Sequence, residues 1–314
     1  MKLYQNPDVL RELYWKEGLS SLKIAEILGV NSRTVRNWLK RFDIPRRSLS
    51  EAGTKYPKTS FSGDLKEKAY MLGLRAGDFY AQRNFRLIRI KTSTTHLAQI
   101  ELVKEVFGKY NSHIAVNNVF DKRFGIEKWQ VHCDLDGSFE FLLEKVGKIP
   151  EWILDNDEFF FHFLAGYADC EGHFRIWESH GKFVRFSFIL TSTNLTILEQ
   201  IKNKLQTMNI LSHLYLNTKA GTISKGGIKS NKNAYNLVVY KKGNIITLVS
   251  ELLWFSHHQE KIWKISLILE SVGKKWTEVE DKLTELRNRI KKTVTSKEVN
   301  TQQLDLQIKE PPYS

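Results

Sequence analysis

The sequence predicts an α+β chain, two pseudo-symmetric αββαββα repeats with antiparallel sheets preceded by a small three-helix domain. Three observations predict it. Ile90-Lys91-Thr92-Ser93-Thr94-Thr95-His96-Leu97 recurs as Ile189-Leu190-Thr191-Ser192-Thr193-Asn194-Leu195-Thr196, each copy leading from a strand pattern into a helix pattern. Segments of apolar and polar alternation lie between helical stretches in both halves. Ahead of them, residues 7 to about 47 read as three short helices with a tight glycine turn. The boundaries that follow are 1–50 for the three-helix domain, 51–65 for a basic linker, 66–150 and 151–270 for the repeats, and 271–314 for a charged helix and tail.

The chain has 314 residues with 48 Lys and Arg against 35 Asp and Glu, a formal charge of +13. Such an excess attracts polyanions over a salt-dependent range, so nucleic acid is the leading partner. A hydrophobic fraction of 41% with 12% aromatics is that of a folded globular chain. No window resembles a membrane span, and the stretch Met1 to Pro7 lacks the apolar core of a signal peptide. A soluble, intracellular, cytoplasmic protein with no membrane partner is expected. Two cysteines, Cys133 and Cys170, make neither a disulfide framework nor a thiolate zinc site.

In the N-terminal domain, Val9 to Trp15 carries apolar residues at helical spacing and stops at Gly18. Ser20 or Ser21 caps a second helix, whose buried side is read as Leu22, Ala25, Ile27 and Leu28 before Gly29 ends it. Asn31 or Ser32 caps a third, in which Val35, Trp38, Leu39 and Phe42 repeat at helical spacing. Its other face is basic or amide-bearing. This is the helix-turn-helix pattern, and it puts Ser32, Arg33, Thr34, Arg36 and Asn37 at a major groove, where Arg pairs bidentately with guanine and Asn with adenine. Pro45-Arg46-Arg47-Ser48 through Gly63 reads as the basic linker.

In the repeats, Val184, Phe186, Phe188 and Leu190 alternate with Arg185, Ser187 and Thr191, a strand with one face buried and one free to touch DNA. Leu214 and Leu216 alternate likewise with His213, Tyr215, Asn217 and Lys219, and Trp129, Val131 and Cys133 with Gln130 and His132. Phe85 to Thr92 alternates poorly around Leu87-Ile88-Arg89, which suggests a bulge. Ala220 to Lys232, polar and glycine-rich, reads as a hairpin tip.

The chemistry is read from two helices of small and apolar residues that each end in an acid: Met71 to Phe79, with Asp78, and Phe163 to Gly172, with Glu171. Glycine inside a helix costs about 1 kcal/mol against alanine, so Gly73, Gly77 and Gly166 need a packing reason. Close approach of the two helices supplies it and brings Asp78 and Glu171 together. Two carboxylates there repel each other at the negative ends of helix dipoles, an arrangement that invites a cation. Oxygen ligands suit magnesium or manganese, and such an ion activates water and stabilises charge on a phosphate.

Leu164-Ala165-Gly166-Tyr167-Ala168-Asp169-Cys170-Glu171-Gly172 closely resembles the LAGLIDADG motif of homing endonucleases. The first copy keeps Leu72, Gly73, Leu74 and Asp78 but has Ala76 for the motif's first Asp and Phe79 for its final Gly. The resemblance spans roughly residues 66–270. It implies a monomer acting as a pseudo-dimer, saddle-like sheets in the major groove of a double-stranded DNA target, and metal on the final acids, Asp78 and Glu171. It also implies a basic residue near the cleavage centre, late in the sheet, for which Lys241 or Lys242 is the candidate; the first copy offers no lysine at Asp134 to Gly137. Asp169 corresponds to a structural helix-end residue.

Cys170 and His173 read as packing and strand residues, and His257-His258 lacks the spaced partners of a zinc site. The leading function is site-specific, metal-dependent double-strand cleavage. The alternatives are a regulator on the same scaffold with catalysis lost, or an intron RNA maturase.

Overall fold

The computed structural model describes residues 2–47, 58–122, 125–224, 227 and 229–294. Residues 48–57 of the expected linker, 225, 226 and 228 of the hairpin tip, and the tail from 295 lie outside the described residues. The chain divides into two compact units, Met1–Thr59 and Ser60–Ser314.

In the first unit α1 (Pro7–Arg11) runs on through a wider π turn, Glu12–Lys16, and ends at Gly18 with φ +67°. Ser20 Oγ accepts from Lys23 N at 3.2 Å to cap α2 (Ser21–Leu28), and Asn31 Oδ1 accepts from Arg33 N at 2.8 Å to cap α3 (Ser32–Arg41). The core is Leu10, Tyr14, Ile24, Ala25, Val35, Leu39 and Ile44. One face expectation fails. Ile24 and Ala25 are buried, whereas Leu22 and Ile27 are 66% and 55% exposed, because at 100° per residue the inward face of α2 is 21, 24, 25 and 28, and 22 and 27 fall outside it. Arg47, read as linker, is instead built in. Its guanidinium donates to the carbonyls of Gly18 and Leu19 and lies 4.5 Å over the Tyr14 ring.

The second unit holds α4 (Leu65–Ala76), β1 (Tyr80–Asn84), β2 (Leu87–Thr94), α5 (Leu97–Gly108), β3 (Ile114–Asp121), β4 (Ile126–Leu135) and a 3-10 turn, Gly137–Leu142. After the short α6 (Glu151–Leu154) the order repeats as α7 (Asp157–Glu171), β5 (Gly172–Ser179), β6 (Phe183–Ser192), α8 (Leu195–Thr207), β7 (His213–Thr218), β8 (Ala234–Val239) and α9 (Lys242–Phe255). Two helices follow, α10 (Gln259–Glu270) and α11 (Glu280–Thr293). The sheets are antiparallel, in the matching orders β1-β2-β4-β3 and β5-β6-β8-β7, over one continuous apolar core. The last helix expected of the first copy is only the 3-10 turn. The end of the expected linker also belongs here, since Phe61 packs against Tyr110, Phe139 and Phe141.

The bulge expected within Phe85 to Thr92 is a two-residue hairpin turn. Asn84 pairs with Leu87, and Phe85 takes φ +54° at the tip, so the segment crosses from β1 into β2 and its alternation restarts. Beyond the turn Ile88, Ile90 and Thr92 face the core. On β7 the alternation is interrupted by a bulge between Leu216 and Thr218, which leaves Leu216 47% exposed.

Candidate active site

The two acids are brought together by α4 and α7, which pack through glycines. A Cβ on Gly73 would stand 2.2 Å from the carbonyl oxygen of Phe163, and one on Gly166 would stand 2.2 Å from that of Tyr70. One on Gly77 would meet Cys170 Cβ at 2.5 Å. Each helix therefore approaches the other's backbone as only glycine allows, the packing reason that the sequence demanded. Cys170 is part of this seam, and burial pushes its thiol well above the usual range.

Asp78 follows the end of α4, and Glu171 is the last residue of α7. Burial raises the Glu171 carboxyl to about 7, and the charge of Asp78 adds to the rise. Asp78 is exposed, yet desolvation by the surrounding protein raises it too. Lys261 pulls both back toward the ionised form.

Lys261, in the first turn of α10, was not anticipated. Its Nζ donates to the carbonyl of Gly172, the residue after Glu171, and burial together with neighbouring Lys264 lowers its affinity for its proton. The expected Lys241 is an exposed residue at the cap of α9, and Lys242 is the exposed first residue of that helix. After β8 the chain runs the length of α9 and turns back to the seam at Ser256 to His258, which brings Lys261 to the Gly172 carbonyl. The sequence held a signal. Lys261 and Lys264 share the i, i+3, i+4, i+7 stripe with the buried Ile265 and Ile268, and lysines on an apolar stripe call for a partner.

Asp169 is 1% exposed. Its Oδ2 accepts from Tyr70 OH at 2.6 Å, from His257 N at 2.8 Å and from His258 N at 3.2 Å. In the first copy the aligned residue is Ala76, and the neighbouring Arg75 does the holding: its Nε donates to Leu142 O at 2.8 Å and its Nη1 to Phe79 O at 3.0 Å.

The outward faces of the sheets are polar. Arg89 makes a bidentate pair with Asp134 at 2.7 Å, and Thr191 Oγ1 donates to Asn236 Oδ1 at 2.8 Å beside Tyr215. Arg185 and Lys219 are exposed as expected. Ser187 is on the expected face but only 4% exposed; it is a short side chain paired with Arg175 across the strands. On α3, Arg33, Arg36 and Asn37 are exposed and Ser32 and Thr34 half-buried.

Residues 158–252 match the family described as a LAGLIDADG-like domain, and residues 12–47 match a homeodomain-like domain. Among solved structures the chain is similar to the homing endonuclease I-WcaI bound to its DNA recognition sequence, at 16% identity and a TM-score of 0.47, covering 76% of this chain and 96% of that one. It is also similar to the LAGLIDADG meganucleases I-AabMI (14%, TM-score 0.44, 72% and 98% covered) and I-CpaMI (11%, 0.45, 73% and 99%), both bound to uncleaved DNA. No curated protein matches the chain. The LAGLIDADG-like match thus falls within the second copy, and the homeodomain-like match falls on the N-terminal helices. Among the described residues no helix is long and apolar enough to cross a membrane.

Proposed function

We propose that the protein is a site-specific, metal-dependent DNA endonuclease that makes a double-strand break, acting as a monomer with two similar halves. The observation that carries this reading is the meeting of Asp78 and Glu171 at the ends of two glycine-packed helices beside a half-buried lysine. An acid such as Glu171, raised to about 7 by burial and by the charge of Asp78, is costly to ionise unless a cation takes it up. A regulator with catalysis lost has no need to maintain that cost.

Among the described residues no three His, Cys, Asp or Glu side chains gather as a metal site. Two carboxylates nevertheless fit Mg2+ or Mn2+, since magnesium is usually held by one or two carboxylates, several waters and substrate phosphate oxygens. Asp78 and Glu171 would hold the ion, which supplies an activated water and a Lewis acid for the phosphate. Lys261 places a positive charge at the same seam, where it stabilises negative charge on the scissile phosphate or donates a proton to the departing oxygen. The outward sheet residues Arg185 and Lys219 engage the duplex, and Arg33, Arg36 and Asn37, with Ser32 and Thr34 behind them, read further bases.

The test is selection from a library of long random duplexes with Mg2+ present. Defined double-strand cuts that vanish on chelation are expected, and binding without any cut would reject the reading.

A further inference from the structure

We infer that Asp169, acting with Tyr70, is a positioning residue for Lys261. The inference deepens the endonuclease reading and rests on it for its catalytic consequence, though not for its geometry. Asp169 stands two residues before Glu171 on α7, Tyr70 stands on α4, and His257 and His258 form the turn that enters α10. One carboxylate oxygen gathers the Tyr70 hydroxyl and both backbone N–H groups of that turn. His258 O in turn accepts from Lys261 N at 2.8 Å and from Ile262 N at 3.1 Å. The path from Asp169 to the Lys261 backbone is therefore two hydrogen bonds long.

The turn is wedged from the other side as well. The His257 ring packs edge-on against Tyr70 with centroids 4.7 Å apart, and its Nδ1 lies 2.6 Å from Glu105 Oε1. These contacts tie the turn to the first copy, as Asp169 ties it to the second. Because α10 has no side-chain cap at His258, Asp169 also supplies the acceptor oxygen that free amides at a helix amino end require. Lys261 then enters on the first helical turn with its ammonium on the Gly172 carbonyl. A side chain with four rotatable bonds stays beside two carboxylates only if its backbone is fixed, and pre-organisation of this kind belongs to the residues behind a site.

The experiment measures Lys261 itself. In the full chain, acylation by a lysine-selective ester is followed by mass spectrometry for each lysine, in parallel with DNA affinity and single-turnover cutting of a selected site, for Asp169→Ala, Asp169→Asn and Tyr70→Phe. In Asp169→Ala, acylation of Lys261 should rise about tenfold while exposed lysines such as Lys66 do not change, and cutting should slow about 10–100-fold at unchanged DNA affinity. Asp169→Asn keeps an oxygen acceptor and should recover most of both. Unchanged Lys261 reactivity in Asp169→Ala, or slower cutting only in step with weaker DNA binding, would overturn the proposal. If Asp169→Ala does not fold, Tyr70→Phe decides: a rise of about threefold or more at Lys261 supports positioning, and none overturns it. If the wild-type chain cuts no DNA, the acylation result still decides the geometry while the endonuclease reading falls.

Discussion

The first and second copies solve the same problem with different residues. In each, a polar side chain near the end of the motif helix holds backbone that lies beyond the sheet in the chain. Arg75 grips the Leu142 carbonyl at the end of a 3-10 turn, whereas Asp169 grips two amides at the start of a helix. Only the second grip leads to a lysine at the acids. The difference teaches that the halves are matched in frame and unequal in chemistry: each gives one acid, and the second alone gives Lys261.

The sharpest way to break that comparison is to remove the acids one at a time. Asp78→Asn and Glu171→Gln should each slow double-strand cleavage by about 10^3-fold, equivalent to about 4 kcal/mol of transition-state stabilisation, at nearly unchanged DNA affinity. Gel assays on supercoiled plasmid carrying the site separate nicking from full cutting. If one variant still nicks at the wild-type rate, the acids serve separate strands and do not share one centre.

A second test concerns the shared frame. Gly73→Ala and Gly166→Ala each drive a methyl group into the other helix's backbone, so each should destabilise the second unit by about 1–3 kcal/mol in urea titrations. Gly108→Ala is the control. Its Cβ would meet nothing closer than Ile114 Cδ1 at 4.0 Å, and stability should stay level or rise by about 0.4–1 kcal/mol. Equal losses at Gly73 and Gly166 would show that the seam is symmetric although the chemistry beside it is not.

The frame was legible in the sequence because glycine and acid recur at matched places and because strands alternate. What escaped has physical causes. The octapeptides align Ile90 with Ile189, but the helix caps His96 and Asn194 align Ile90 with Phe188. Burial agrees with the caps, since Ile90 and Phe188 face the core and Ile189 is half-exposed. With a side-chain period of two, a slip of one residue turns every side chain to the opposite face. Lys261 escaped because its position depends on how far α9 runs before the chain returns, a tertiary fact. Asp169 was legible as structural, but its partners are 99 and 88 residues away in the chain.

Metal and pH should report the acids' unequal settings. Glu171 is raised from 4.5 to about 7, so between those values the folded state holds a proton that the unfolded chain has released. In the metal-free protein this contribution favours folding at low pH and is lost as pH rises through about 7. A divalent ion competes with the same proton. The increase in Tm on adding Mg2+ should therefore be small below about pH 5 and several degrees above about pH 7. Glu171→Gln should flatten that dependence; a wild-type increase independent of pH would place the ion elsewhere.

The smallest effect separates two neighbours on β6. Arg185 is exposed and Ser187 buried on the same face, so the strand carries one outward charge and one spacer. Arg185→Ala should weaken binding of a selected duplex by about 1 kcal/mol and reduce the slope of log affinity against log salt by about one, because one fewer phosphate is neutralised. Ser187→Ala should leave both within about 0.5 kcal/mol of the wild type. Fluorescence anisotropy across a salt series reads the two together. A loss at Ser187 as large as that at Arg185 would mean that DNA draws the buried hydroxyl into contact, and that this face rearranges on binding.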